Sequence, residues 1–377
     1  MSKCVCRLFS LVLLCTLLGL CLLSCQSGNT TPDTTTTPDS TTPDATTPPS
    51  TTEDANTVID QTGLEFSTED GESYTVESIG QNKDKNLVIP ATFQGKPVTA
   101  IQNYAFMDAT HIQSVTLPDS ITYVGTSAFY GCTSLVDITL PNSIEKMGWS
   151  VFSKCTSLVS LTLPERITRV GRFTFRYCEN LESVTIPSAV DTIAEGAFSG
   201  CKKLSAVPLH EGITIIGDKA FENCTSLTSV TIPSTMKILQ YGLFSGCSAL
   251  TSVSLHDEIF SIQDNVFYGC VSLTNITLPS ALTSIGNRAF YSCESLEEIT
   301  IPEGVTYLPN NLFRGCTSLK TVTLPKTIEQ IGSYVFQRCT SLTTIIFGGT
   351  AEEWQQIPKG RDWNKDAGEF TLQANSQ

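Results

Sequence analysis

The sequence predicts a solenoid of about eleven stacked 23-residue turns, with a parallel β-sheet on one face, irregular loops on the other and a cap at each end. Three observations carry that expectation. Cys132, Cys155, Cys178, Cys201, Cys224, Cys247, Cys270, Cys293, Cys316 and Cys339 stand at one unchanging interval of 23 residues. A phenylalanine stands three residues before each of them, and Phe106 begins an earlier unit in which Ala109 takes the cysteine's place. Aliphatic side chains recur at fixed offsets behind the cysteine: leucine after three residues, a pair such as Ile138 with Leu140 after six and eight, then a further pair such as Ile144 with Met147. One unit of this length cannot bury so many apolar side chains by itself, whereas stacked units cover one another.

The elements follow in chain order. Lys3 and Arg7 flank an apolar run over residues 8–23, and Ser24 precedes Cys25. Residues 1–24 are therefore expected to be an export signal that resembles a bacterial lipoprotein signal, with Cys25 as the lipidated residue. An ordinary secretory signal is the alternative. Residues 25–57 carry that cysteine and a Thr/Pro stalk, too poor in apolar side chains to fold and biased by proline toward extended conformations. Within residues 58–86 the pattern alternates around Asp70-Gly71, which predicts a two-residue β-hairpin capping the N-terminal end. Residues 87–347 are the solenoid. Each pair such as Ile138 and Leu140 reads as a short strand with both side chains inward, and identical strands in successive turns must run parallel, about 4.8 Å apart. Proline after the strand, as at Pro118, Pro141 and Pro164, ends the ladder because it lacks an N–H. Residues 348–377 form a C-terminal cap and tail, with a short helix over residues 352–356 and with Trp354, Ile357 and Trp363 closing the last turn.

The segment "CTSLVDITLPNSIEKMGWSVF" resembles the leucine-rich-repeat class of treponemal and BspA-like surface proteins, and the resemblance extends over about residues 87–357. "LVIPATFQGKPVTAIQNYAF" resembles the usual first turn of that class and "GGTAEEWQQI" its last. The resemblance implies a curved leucine-rich-repeat solenoid on a bacterial cell surface that binds host proteins or other bacteria. With the signal, it implies an adhesin-like protein anchored by lipid to the outer face of a membrane.

The formal charge is −14, but residues 26–80 contain eleven acidic and no basic side chains, while residues 81–377 carry 26 acidic against 21 basic ones. Nothing resembles the basic surface a nucleic-acid binder needs to displace counterions, so that class is excluded. The cysteines leave three readings. Export and an even count suit disulfides. A zinc array would need close cysteine pairs with partner histidines, which the 23-residue interval and three histidines do not supply. A column of buried thiols is favoured, because stacked Cβ vectors run parallel rather than converging as a disulfide requires.

No catalytic constellation emerges. His111, His210 and His256 are scattered, the last two in the slot usually held by proline, where an exposed turn residue is expected. There is no serine elbow, phosphate loop or paired-histidine motif. The chain is read as a non-enzyme without metal or cofactor. Two surfaces are candidates for binding. Outward strand positions give a Ser/Thr stripe, expected to lie on the concave face: Asp137, Thr139, Ser160, Thr162, Ser183, Thr185, Ser229 and Thr231. Threonine also simply suits strands. The second candidate is a cluster of Lys146, Trp149, Lys154, Arg166, Arg169, Arg172, Arg176 and Tyr177, in which Trp149 stands one repeat before Arg172 and should lie beside it. Arginine against an exposed tryptophan is typical of an interface centre and suits an extracellular acidic protein or anionic glycan, from host matrix or other bacteria. A spacer role in the envelope is the alternative function, with a hydrolase of unrecognised site behind it.

Overall fold

The computed structural model describes residues 57–376. The signal peptide, Cys25 and nearly all of the stalk lie outside the described residues. The rest is a parallel solenoid of about thirteen turns, two more than the cysteine and phenylalanine units alone announce. The extra turns are the ends: Asn86–Val88 precedes the Phe106 unit, and Thr371–Asn375 follows Ala367, which occupies the last cysteine position.

Most turns contain three segments bonded to their counterparts in a neighbouring turn. The first is the expected strand. Ser160–Thr162 pairs in register with Ser183–Thr185, and Thr321–Leu324 lies between Glu298–Thr300 and Thr344–Thr350. Residues 206–208 form no strand; Pro208 stands there in the outward slot and cannot donate to a ladder. The second segment is a two-residue parallel ladder at the closing aliphatic pair, as in Lys146–Met147 against Tyr123–Val124 and Arg169–Val170 against Thr192–Ile193.

The third segment is the loop before each cysteine, and it is regular too. Residues five and one before the cysteine have positive φ, as at Ser150 (55°), Lys154 (61°), Phe173 (56°) and Tyr177 (59°). Alternating hand turns successive N–H groups in opposite senses. Those of Ser127, Phe129 and Gly131 donate forward to the carbonyls of Trp149, Val151 and Ser153, while those of Ala128, Tyr130 and Cys132 donate back within their own turn. Many of these left-handed positions hold Lys, Phe, Tyr, Asn or Arg rather than glycine, so the inter-turn bonds must compensate the backbone strain.

The core follows from the repeat. Phenylalanines 106 through 336 are fully buried and stack turn upon turn, with neighbouring rings such as Phe198 and Phe221 5.6 Å apart and 12° from parallel. Each is worth about 0.5–1.5 kcal/mol beyond area burial. Beside them runs the column of thiols, all buried and free. Cys224 Sγ donates to the Phe198 carbonyl at 3.2 Å, and the same bond recurs from Cys132 onto Phe106 through Cys339 onto Phe313. Burial pushes Cys132, Cys247 and Cys339 up to about 12 and the remaining thiols well above their ordinary value.

Both ends are covered. Strands β1 (Val58–Ile59), β2 (Glu65–Ser67) and β3 (Tyr74–Ser78) form an antiparallel meander, and β3 joins Lys96–Ile101 in parallel. The β2–β3 connection is six residues long rather than two, because Asp70 folds it as a side-chain-stapled loop: its carboxylate accepts from the N–H groups of Glu72 (2.8 Å) and Ser73 (3.0 Å). Those bonds hold its pKa below the usual value. Phe66 stacks on Phe93 at 4.3 Å to seal this end. At the other, helix α1 (Ala351–Gln356) starts at a capping box in which Thr350 and Glu353 exchange side-chain bonds. Trp354 and Ile357 are buried, and Trp363 meets Phe336 edge-on at 6.0 Å, ending the phenylalanine stack.

Candidate binding surface

Asp137, Thr139, Ser160, Thr162, Ser183, Thr185, Ser229 and Thr231 are all exposed, flanking buried Ile138, Leu161, Val184 and Val230. Parallel register places like beside like, Ser160 next to Ser183 and Thr162 next to Thr185. The strands that carry it pair in runs of three (Asn86–Val88 to Asp137–Thr139), two (Ser160–Thr162 with Ser183–Thr185), two (Ser229–Thr231 with Ser252–Ser254) and four (Glu298–Thr300 to Thr371–Asn375), and residues 206–208 and 275–277 form no strand. The stripe contains no aromatic or arginine anchor.

The cationic candidates divide by segment. Lys146 and Arg169 are exposed in the two-residue segments of successive turns, which end two separate ladders and do not pair with each other. Arg166 sits at the preceding corner and pairs with Glu145 at 3.1 Å. The others belong to the loop face. The Arg172 guanidinium lies 5.6 Å from the centroid of Trp149, which is 56% exposed, and 5.5 Å from that of Phe173, and it pairs with Glu195 at 2.5 Å. Arg176 covers Phe173 at 5.1 Å and Tyr177 at 4.8 Å, and Lys154 lies over Tyr130 at 4.9 Å. Trp149, Arg172, Phe173, Arg176 and Tyr177 are thus one contact chain, with Trp149 and Arg172 adjacent as the 23-residue spacing requires. Sequence reasoning missed Phe173, Tyr130 and the neutralising Glu195. Phe173 gave the clearer signal, being an aromatic where most units carry a small or polar residue.

The histidines form no site. His210 and His256 are half-buried rather than exposed, since each ring turns inward and its Nδ1 accepts the N–H two residues on, from Gly212 and Glu258. Among the described residues, no three His, Cys, Asp or Glu side chains meet as a metal site.

A sheet of parallel short strands, a stacked phenylalanine spine and repeating loops define a leucine-rich-repeat solenoid. The BspA type leucine rich repeat region, in six copies, matches residues 85–205, 168–274 and 242–357, and the chain belongs to that family. The structure is similar to that of a leucine rich cell surface protein from Faecalibacterium prausnitzii A2-165, with 26% identity and a TM-score of 0.53 over 82% of this chain and 99% of that one. The pneumococcal vaccine antigen PcpA shares the fold at 16% identity and a TM-score of 0.51, over 85% of this chain and 99% of that one. A leucine-rich repeat protein from Bacteroides ovatus ATCC 8483 aligns at 24% identity and a TM-score of 0.46, covering 84% and 99%. Among curated protein sequences, none matches the chain.

Proposed function

We propose that this chain is a lipid-anchored surface protein, acylated at Cys25, whose solenoid recognises an extracellular acidic protein or anionic glycan through the Trp149–Arg172–Arg176–Tyr177 surface. The observation that carries the reading is the half-exposed Trp149 ring with the Arg172 guanidinium held over it. An apolar plate beside an oriented cation gives an anionic partner both contact area and charge. Lys146 and Arg169, exposed nearby in sequence and outside the ion pairs among the described residues, add to the attraction. Family membership and the Faecalibacterium cell-surface protein support surface display, and the family's scaffolding character supports binding over catalysis. A spacer role is favoured by one observation: Arg166 and Arg172 are already paired with Glu145 and Glu195.

The test is binding of the full chain to matrix proteins, acidic glycans and bacterial envelope preparations at low and physiological salt, beside an R169A/R172A/R176A variant. A salt-sensitive partner lost in the variant establishes the surface. Binding unchanged by the substitutions removes it, and silence throughout leaves the spacer reading.

A further inference from the structure

We propose a second site, distinct from the Trp149–Tyr177 surface: a strip along the loop face of the C-terminal half that takes a linear polyanionic glycan. It does not rest on the first site. The loop segments 287–292, 310–315 and 333–338 contribute Arg288, Arg314 and Arg338 and no acidic residue, and Arg361 follows in the last turn. None of these four arginines takes part in the ion pairs among the described residues, which engage Arg166, Arg172 and five lysines.

Aromatic rings fix part of this charge in a row. Tyr268 and Tyr291 stack at 4.8 Å and 13°, the Arg314 guanidinium lies 5.7 Å from both Tyr291 and Tyr334, and Arg361 lies 5.2 Å from Tyr334. The row crosses five turns, or about 19 Å at about 4.8 Å per rung. Two buried polar atoms along it are unpartnered: Nε of Arg314 and, on the next rung, Oε1 of Gln337, a residue only 8% exposed. Upstream the row opens into a groove of about 230 Å³ lined by Tyr241, Tyr268 and Arg288 and by Lys219, which pairs with Glu222 in the same lining at 3.6 Å, so that Arg288 is the cation there outside an ion pair.

The chemistry selects the occupant. Guanidinium groups without carboxylate partners match sulfate or carboxylate oxygens in bidentate fashion, and tyrosine faces offer flat apolar plates for sugar rings. The row runs across successive turns, so its ligand is a chain lying along the stacking direction. A peptide strand finds no backbone to pair with, because the loop N–H groups of Arg288, Asn311 and Tyr334 are spent on the carbonyls of Asn310, Ser333 and Arg361.

The experiment is calorimetric titration of the full chain with heparin-derived di-, tetra- and octasaccharides, a hyaluronan octasaccharide and polyglutamate. Alongside it run R288E/R361E, which alters two exposed side chains; Y268A; and R169A/R172A/R176A as the comparison. Binding should strengthen with chain length, weaken roughly tenfold in R288E/R361E as two charge-assisted contacts become repulsions, and persist in R169A/R172A/R176A. A preference for heparin or for hyaluronan tells whether sulfate or carboxylate is the natural anion, and either supports the strip. Polyglutamate binding as tightly as the octasaccharides overturns the glycan assignment. Octasaccharide binding that survives R288E/R361E, or no binding of either octasaccharide, overturns the site.

Discussion

Raising the pH should unfold this protein through its cysteines. The ten thiols are buried and donate to phenylalanine carbonyls, and the fold holds them neutral, with Cys132, Cys247 and Cys339 at about 12 against an ordinary 9.0. Each therefore contributes stability that is complete below pH 9 and is lost as the pH climbs toward the folded value, because only the unfolded chain can release the proton. At pH 10 a thiol with its ordinary pKa gains about 1.4 kcal/mol by ionising in the unfolded chain, against about 0.1 kcal/mol at pH 8. Ten of them sum to about 14 kcal/mol, as large as the whole stability of a typical domain, about 5–15 kcal/mol. Urea unfolding followed by circular dichroism from pH 7.5 to 10.5 should show the midpoint collapse between pH 9 and 10. C224A should lose about one tenth of that pH dependence. A midpoint that stays level to pH 10 refutes the reasoning, and so does a chain without ten titrating thiols once unfolded, since disulfides release no protons.

Other outcomes follow from single contacts. Phe221→Ala, in mid-stack between Phe198 and Phe244, should cost about 3–5 kcal/mol in urea unfolding. Thr350→Ala removes one half of the capping box and should lower stability by about 1 kcal/mol, read as a fall in Tm. Arg172→Ala strips the cation from Trp149 and releases Glu195; stability should move by less than about 1 kcal/mol, while Trp149 becomes more accessible to quenching by neutral acrylamide.

The array was legible because one residue column, the cysteines, never loses step, and every inward position could be read against it. Adjacency across one rung was legible for the same reason, as Trp149 and Arg172 show. Legibility failed where register broke or where neighbours are diagonal. Ala367 stands 28 residues after Cys339 because α1 is inserted between them, so the last turn looked like tail. Arg314 and Tyr334 meet although one stands two and the other five residues before its cysteine, and a column-by-column reading does not join them. The left-handed loop positions left no trace, because no single residue type marks them.

The forward bonds of the loops all point the same way. From Phe106 onto Ala128 to Phe336 onto Trp363, each N–H of this set faces the next turn and each carbonyl the previous one. Peptide dipoles aligned head to tail add, as they do in a helix. The loop face thus has an electrical sense of its own, with its positive pole toward the C-terminal turns and its negative pole at the hairpin, where Asp60, Glu65, Glu69, Asp70, Glu72 and Glu77 reinforce it. An anion drifting near that face is turned toward the C-terminal turns before it touches any side chain.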